Sequence, residues 1–181
     1  GIVSGNGVII VGAGHAGVQA AASMREEGFD GPLTLVGDEA ELPYHKPPLS
    51  KTFIKDAQAR PQVLRAEQFY TQNGIELRLG AQVEAIDPKE NRIRFAGGEE
   101  AAYDHLVLAT GSRPRDLRFP GSELAGVLSL RSVADARLIR QLGAACEDVV
   151  VLGGGFIKST LAMTQSPNAA FPEPVPARKA S

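Results

Sequence analysis

The sequence predicts an α/β fold built on a parallel sheet, and three observations carry that expectation. Val8-Ile9-Ile10-Val11 is a β-branched run, too short and too β-prone for a helix core, of the kind that fills a strand buried on both faces. Gly12, Gly14 and Gly17 follow at once and spell G-x-G-x-x-G where the strand must turn into a helix. A second apolar strand, Leu33-Thr34-Leu35-Val36, closes on Gly37-Asp38-Glu39. Asp38 thus stands about 20 residues beyond Gly17, the spacing at which an acid meets a ribose. Together these parts describe a Rossmann-like dinucleotide site rather than an ordinary glycine-rich loop.

Each element has a reason. Gly12 allows the tight turn, Gly14 lets backbone come close to a pyrophosphate, and Gly17 lets the helix sit against the strand. The helix start offers N–H groups and the positive dipole end to phosphates. The alanine-rich run to Arg25-Glu26-Glu27 favours helix and stops at Gly28, a C-cap. Pro43, Pro47 and Pro48 bar helix and central strand from the next loop, which carries Tyr44, His45, Lys46 and Lys51 on a stiff element.

A short helix fits Lys51 to Lys55, and another fits Ala66 to Asn73, stopped by Gly74 and with Phe69 and Tyr70 as core. Ile75 to Leu79 alternates as a strand, and Gln82 to Asp87 is another, in which Val83 reads as core. Arg92 to Phe95, Gly97-Gly98 and Ala101 to Tyr103 read as a β-hairpin. The apolar strand after Asp104 ends in the small residues Ala109, Thr110 and Gly111, which permit close approach of a ligand or a second backbone. Val127 to Arg131 precedes a helix from Ser132 to Leu142, with Ser132 as N-cap and Asp135 in the first turn. Asp148 to Leu152 reads as a second buried strand, opening a second glycine turn at Gly153-Gly154-Gly155.

Bulk composition narrows the function. A formal net charge of −2 over 181 residues argues against electrostatic nucleic-acid binding. No apolar run approaches membrane-spanning length and no targeting pattern opens the chain, so a cytoplasmic location without membrane insertion is expected. One cysteine, Cys146, leaves no dithiol redox pair, and it reads as a packing residue rather than a nucleophile. His45 and His105 lack a second ligand at useful spacing, so no metal site is expected.

Pro43-Tyr44-x-x-Pro47-Pro48-Leu49-Ser50-Lys51 resembles the signature of the FAD-dependent ferredoxin reductases of the pyridine nucleotide-disulfide oxidoreductase family. These serve rubredoxin, putidaredoxin and aromatic-ring dioxygenase systems and share a fold with glutathione reductase. Apoptosis-inducing factor and monodehydroascorbate reductase carry similar loops. The resemblance implies a Rossmann-like FAD-binding domain with a parallel sheet plus a small antiparallel β-hairpin layer. It places FAD on Gly12, Gly14, His15, Ala16 and Gly17, the adenosine ribose on Asp38 with Glu39 beside it, and adenine against the Val83 backbone. Lys46, Pro47 and Lys51 fall near the flavin, with Lys51 the catalytic candidate that tunes the flavin edge. Lys46 stands where the family often has arginine, keeping the charge but not the bidentate geometry. Ala109, Thr110 and Gly111 cover the flavin nucleotide. Arg131 matches a flavin-contacting arginine, although the sequence alone allows a solvated one equally.

The resemblance covers residues 5–157 and then stops. Lys158 replaces the third glycine of the second turn, and prolines 167, 172, 174 and 176 exclude a regular helix there. Three segments are therefore expected: 1–115, the N-terminal portion of the FAD-binding domain; 116–157, a connection and the first strand of a truncated NAD(P)H-binding domain; and 158–181, a flexible tail outside the family pattern. At most a short helix from Phe156 to Gln165 fits before Pro167. A truncated or frame-shifted gene accounts for this pattern. Two readings stay open: a reductase passing electrons from NAD(P)H through FAD to a ferredoxin or rubredoxin-type partner, or an FAD-binding remnant without turnover. On either, NAD(P)H binding belongs to the complete family enzyme rather than to this chain. Exposed strand edges make self-association an expected property.

Overall fold

The structure, a computed structural model, describes residues 7–46, 56, 58–112, 120–122, 124, 126–144, 146–152 and 160–165, with backbone alone at 147 and 160–165. The helix expected over Lys51 to Lys55, the turn at Gly153-Gly154-Gly155 and Lys158 lie outside the described residues. The chain divides into two units, residues 1–45 with 62–113, and residues 46–61 with 114–181.

In the first unit, the run Val8-Ile9-Ile10-Val11 is strand β1 (Val8–Val11), and the glycine turn leads into α1 (His15–Glu26). Next come β2 (Leu33–Val36), α2 (Glu67–Gln72), β3 (Ile75–Arg78), β4 (Val83–Asp87), β5 (Arg92–Phe95), β6 (Glu100–Ala102) and β7 (His105–Leu108). A four-stranded sheet runs β3-β2-β1-β7 with every pair parallel, and β4-β5-β6 form a separate antiparallel sheet. Alternate residues of β1 serve two cores. Val8 and Ile10 pack with Val18, Ala21, Leu33, Leu35, Tyr70 and Ile75 on the helical side. Ile9 and Val11 pack with Val36, Ile93, Phe95, Ala101 and Tyr103, under the antiparallel sheet. Burial on both faces is why the run is uniformly apolar rather than alternating. Each such Ile or Val contributes about 1.5–3 kcal/mol by leaving water.

Helix α1 ends in a left-handed glycine. Gly28 has φ +88°, its N–H donates to the Arg25 carbonyl, and the Phe29 N–H donates to the Met24 carbonyl. That pair of bonds is the Schellman arrangement, which a residue with a Cβ would strain. The Arg25 guanidinium then ties this corner together, donating to the carbonyls of Phe29, Gly31, Asn73 and Gly74. It joins the C-terminal end of α1 to the turn between α2 and β3. A cation there also complements the helix dipole.

Tyr70, on α2, is 1% exposed, and its hydroxyl has no hydrogen-bond partner among the described residues. Burial pushes its pKa above the usual tyrosine value, with the Arg65 charge opposing. Val83 packs partly buried against the core beneath the antiparallel sheet, as its pattern in the sequence suggests.

The second unit holds β8 (Val127–Ser129), α3 (Val133–Gly143), β9 (Cys146–Leu152) and β10 (Thr160–Gln165). Helix α3 buries Val133, Ala136, Ile139 and Leu142, one stripe at helical spacing. Cys146 packs against Ile139 and Leu142 with Leu128, Leu130 and Leu138. The three strands form an antiparallel sheet ordered β8-β10-β9.

Two expectations need correction here. Residues 160–165 form a strand rather than the end of a short helix, because pairing with both β8 and β9 satisfies their backbone groups, which local propensity alone cannot do. Strand β9 is not a buried strand. Val149, Val150 and Val151 are 46%, 54% and 56% exposed, and because successive side chains point to opposite faces, neither face of β9 is covered by the described residues.

Arg25→Ala is expected to lower the unfolding free energy by about 2–3 kcal/mol, because carbonyls at a part-buried corner lose a charged donor. Arg25→Lys should recover only part of it, having no planar fork; urea denaturation of the variants measures both. Tyr70→Phe is expected to leave stability unchanged or raise it by about 1 kcal/mol, as an unpaired buried hydroxyl is removed. The folded phenol has the higher pKa, so its contribution is full below pH 10 and is lost as pH rises above it. Melting temperatures across alkaline pH should fall less steeply for the Phe variant.

Candidate functional site

The site grows from the level ends of three parallel strands. Val11 pairs with Val36 of β2 and with Leu108 of β7, so the chain leaves all three strands side by side. Backbone bonds hold the exits together: the Gly12 N–H donates to Val36 at 2.8 Å, and the Ala109 N–H donates to Val11 at 2.8 Å. Carboxyl ends of parallel strands are where α/β sheets receive ligands.

The three glycines of the turn divide by what surrounds them. Gly12 has φ +115°, and a Cβ there would strike the Ala109 carbonyl. A Cβ on Gly17 would strike the Gly12 carbonyl and crowd Leu35 on β2. Both are required by the protein's own packing. Gly14 differs: it has ordinary extended backbone, and a Cβ would meet nothing within 4 Å. The open space beside Gly14 faces no protein atom, which is what close approach of a bound group requires.

The end of α1 is left open as well. Gly14 is its N-cap and supplies no side-chain hydrogen bond, and no acid lies in the first turn. The α3 end is closed instead by its own residues: Ser132 Oγ accepts from the Asp135 N–H at 3.2 Å, and Asp135 Oδ2 accepts from the Ser132 N–H at 2.9 Å. First-turn N–H groups of a twelve-residue helix with no cap present donors and a positive dipole end to an anion. His15 and Ala16, both exposed, stand on that turn.

Asp38 and Glu39 follow β2 at the same edge. Asp38 is exposed, and its carboxylate has no hydrogen-bond or ion-pair partner among the described residues. Glu39 accepts a hydrogen bond from the Tyr44 hydroxyl at 2.5 Å. The backbone here is fixed against the next segment, with Gly80 N–H donating to Glu39 and Ala81 N–H to Gly37, both at 2.9 Å. Ala109, Thr110 and Gly111 leave β7 beside Gly12, and Gly111 takes φ +68° with open space around it.

Pro43 to His45 crosses this edge as a short strap. Tyr44 bridges Val63, with the Leu64 N–H donating to Pro43 at 2.7 Å and the His45 N–H to Gln62 at 2.8 Å. The Tyr44 side chain is 4% exposed. His45 turns the other way, and its Nδ1 lies 3.0 Å from His15 Nε2, the rings edge to face. One imidazole N–H donates to the other ring. The sequence places Tyr44 and His45 beside the nucleotide turn but assigns them no partners; separations of 5 and 30 residues carry no periodic signal that would reveal them.

The first unit thus brings together Gly12, Gly14, His15, Ala16, Gly17, Asp38, Glu39, Ala109, Thr110 and Gly111, with Val83 following the segment bonded to Gly37. Lys46 and Arg131 are exposed residues of the second unit. Pro47 and Lys51 lie outside the described residues. No group of three or more metal-ligating side chains occurs, and no helix is long and apolar enough to cross a membrane, among the described residues.

Comparison with known proteins agrees with this geometry. Rhodocoxin reductase of Rhodococcus erythropolis is 42% identical over 151 residues, 83% of this chain and 35% of the relative. Rubredoxin-NAD(+) reductase of Pseudomonas putida is 44% identical over 151 residues, 83% of this chain and 39% of the relative. Among solved structures, a ferredoxin reductase from Rhodopseudomonas palustris is 40% identical with a TM-score of 0.68, covering 74% of this chain and 33% of that one. The putidaredoxin reductase–putidaredoxin complex matches at 37% identity and a TM-score of 0.66, covering 78% of this chain and 34% of that one. The chain therefore spans little more than a third of the length of these relatives. The family model for pyridine nucleotide-disulphide oxidoreductases matches residues 6–169, and the chain belongs to that family.

Proposed function

We propose that the edge formed by the ends of β1, β2 and β7 binds FAD through its ADP half. We further propose that the protein passes electrons from NAD(P)H through the flavin to a ferredoxin or rubredoxin-type acceptor. The observation that carries the first step is the unfilled space at Gly14 beside an uncapped helix start, where Gly12 and Gly17 are committed to packing. A pyrophosphate fits that donor set, with N–H groups of the first turn meeting its oxygens. The names of the relatives support the second step: rubredoxin-NAD(+) reductase, and the ferredoxin–NAD(+) reductase component of a biphenyl dioxygenase system.

On this reading Asp38 accepts hydrogen bonds from the adenosine ribose hydroxyls, with Glu39 beside it. The Val83 backbone meets the adenine. Ala109, Thr110 and Gly111 let the nucleotide lie against backbone, and the His15–His45 contact holds the first residue of α1 in place. Lys46, Pro47, Lys51 and Arg131 serve the flavin end, Lys51 as the residue that tunes its edge. When bound, the flavin supplies hydride acceptance and one-electron transfer, which no side chain can. The segments keep the boundaries 1–115 for the FAD-binding portion and 116–157 for the connection and first strand of an NAD(P)H-binding domain, while 158–181 is not a tail throughout, since 160–165 is strand β10 between β8 and β9 and the family match runs to residue 169. A cytoplasmic location goes with this reading, because reduced pyridine nucleotides are supplied there.

For the 181 residues taken by themselves, a second reading is favoured by the share of the relatives they span: FAD binding without turnover. Ferricyanide reduction by NADH separates the two, with family-like turnover by this polypeptide supporting the reductase reading.

Gly14→Ala tests the site directly. Stability should fall by no more than about 1 kcal/mol, the cost of alanine for glycine at an N-cap, because the added methyl meets no protein atom. Affinity for FAD, followed by flavin fluorescence quenching, should fall about tenfold or more, equivalent to about 1.4 kcal/mol. A wild-type chain that takes up no FAD, or a Gly14→Ala chain that binds it as well as wild type, would overturn the assignment.

A further inference from the structure

His45 finds in the fold the second nitrogen that histidine spacing in the sequence does not supply. Its Nδ1 lies 3.0 Å from Nε2 of His15, 30 positions earlier. Both residues belong to the first unit, His15 as the first residue of α1 and His45 on the strap. His15 is exposed and His45 half-buried, so water reaches the contact. The ring centroids are only 4.8 Å apart and the planes cross at 64°, so the rings meet at an angle rather than head-on. The outer nitrogens, His15 Nδ1 and His45 Nε2, bond to nothing among the described residues.

We propose that His15 and His45 form a two-histidine site for a divalent transition-metal ion, which fastens the strap to the head of α1. This site stands on its own geometry and does not rest on the FAD reading. Two imidazole nitrogens, each about 2.0–2.1 Å from one ion, stand about 2.9 Å apart at a right angle and about 3.3 Å apart at the tetrahedral angle. The observed 3.0 Å lies near the right angle, the geometry of copper(II) and nickel(II) rather than of zinc. Each neutral ring carries one N–H and one lone pair. With the N–H on the outer nitrogen of each ring, both inner lone pairs are free for the ion. The hydrogen bond between the rings is then exchanged for two metal bonds, and no net proton is lost. Water completes the coordination shell, since no third metal-ligating side chain joins the pair among the described residues. Magnesium and calcium do not suit the pair, because these hard cations take oxygen ligands. The positive end of α1 opposes any cation, and only an ion with strong bonds to imidazole overcomes it. Such an ion ties down the strap at the point where it crosses the edge.

The test is nickel(II) chloride titrated into the full chain, followed by the ring-proton NMR signals of its three histidines. Two histidines are expected to broaden together at the same nickel concentration, because the paramagnetic ion sits on both. His105 begins β7, at the opposite end of the sheet from the strand exits, and its signal should persist to tenfold more nickel or beyond. In His45→Ala the His15 signal should need tenfold or more nickel to broaden, and His15→Ala should protect His45 likewise. Nickel should raise the melting temperature of the wild-type chain and of neither variant, since only a bound ion stabilises the fold. Magnesium chloride should do none of this. Broadening of all three histidines alike would mean an adventitious ion only and would overturn the site. So would broadening of His15 that is unchanged in His45→Ala, or a wild-type chain whose histidine signals nickel leaves intact. Should either variant fail to fold by circular dichroism, the wild-type titration decides alone, by whether His15 and His45 lose their signals together ahead of His105.

Discussion

Backbone lies close on backbone at the head of α1: a Cβ added to Gly17 would fall 1.9 Å from the carbonyl oxygen of Gly12, the residue that follows β1. Everything at the binding edge depends on that contact. It sets how near α1 lies to β1 and β2, and so where the first-turn N–H groups of the helix emerge relative to Asp38 and Ala109. A side chain at position 17 would lift the helix off the strand, and with it the donors that face the open space at Gly14. The other end of α1 is fixed by a different means, the Arg25 guanidinium reaching four carbonyls. Steric contact aligns the start of the helix, and charge-assisted bonds fix its end.

A helix held at both ends can leave one terminus chemically unfinished. Helix α3 makes the contrast, since Ser132 and Asp135 close its start with a reciprocal pair of bonds and set a carboxylate there. Helix α1 has no such cap, and it is held by neighbours rather than by its own sequence. Unsatisfied donors are costly where water is excluded, but at an exposed edge they stay solvated until a ligand replaces the water. The binding capacity of the edge therefore does not require strain, only that packing be supplied elsewhere.

How far the sequence could be read follows from which kind of force decides each feature. Strand β1, the glycine turn, the capped α3 and the β5–β6 hairpin are set by local chemistry, namely β-branching, φ > 0, a capping box and paired glycines, so they are legible. Burial of β9 is not local. Val149-Val150-Val151 has the same character as β1, yet β1 is covered on both faces while the described residues leave both faces of β9 open. Composition records that a strand forms, and not what packs over it. For the same reason Thr160 to Gln165 pairs into a sheet that no window of that segment announces. The site divides likewise: Gly12, Gly14, Gly17 and Asp38 have fixed spacing, whereas the partners of Tyr44 and His45 exist only once β2, α1 and the strap are folded together.

The strap shows how a proline loop becomes part of a site. Ordering an irregular segment costs conformational entropy, about 1–2 kcal/mol for each residue's backbone. Prolines lower that cost by restricting the unfolded chain, and the bridge to Val63 adds two backbone bonds. Because the bridged segment is extended, Tyr44 and His45 face opposite ways, and each finds a partner on a different part of the βαβ unit: Glu39 after β2, and His15 at the head of α1. One short loop is thereby fastened to both walls of the edge it crosses. A ligand entering there meets groups already fixed by the protein, so little of its binding energy is needed to order them, which is the physical content of preorganisation.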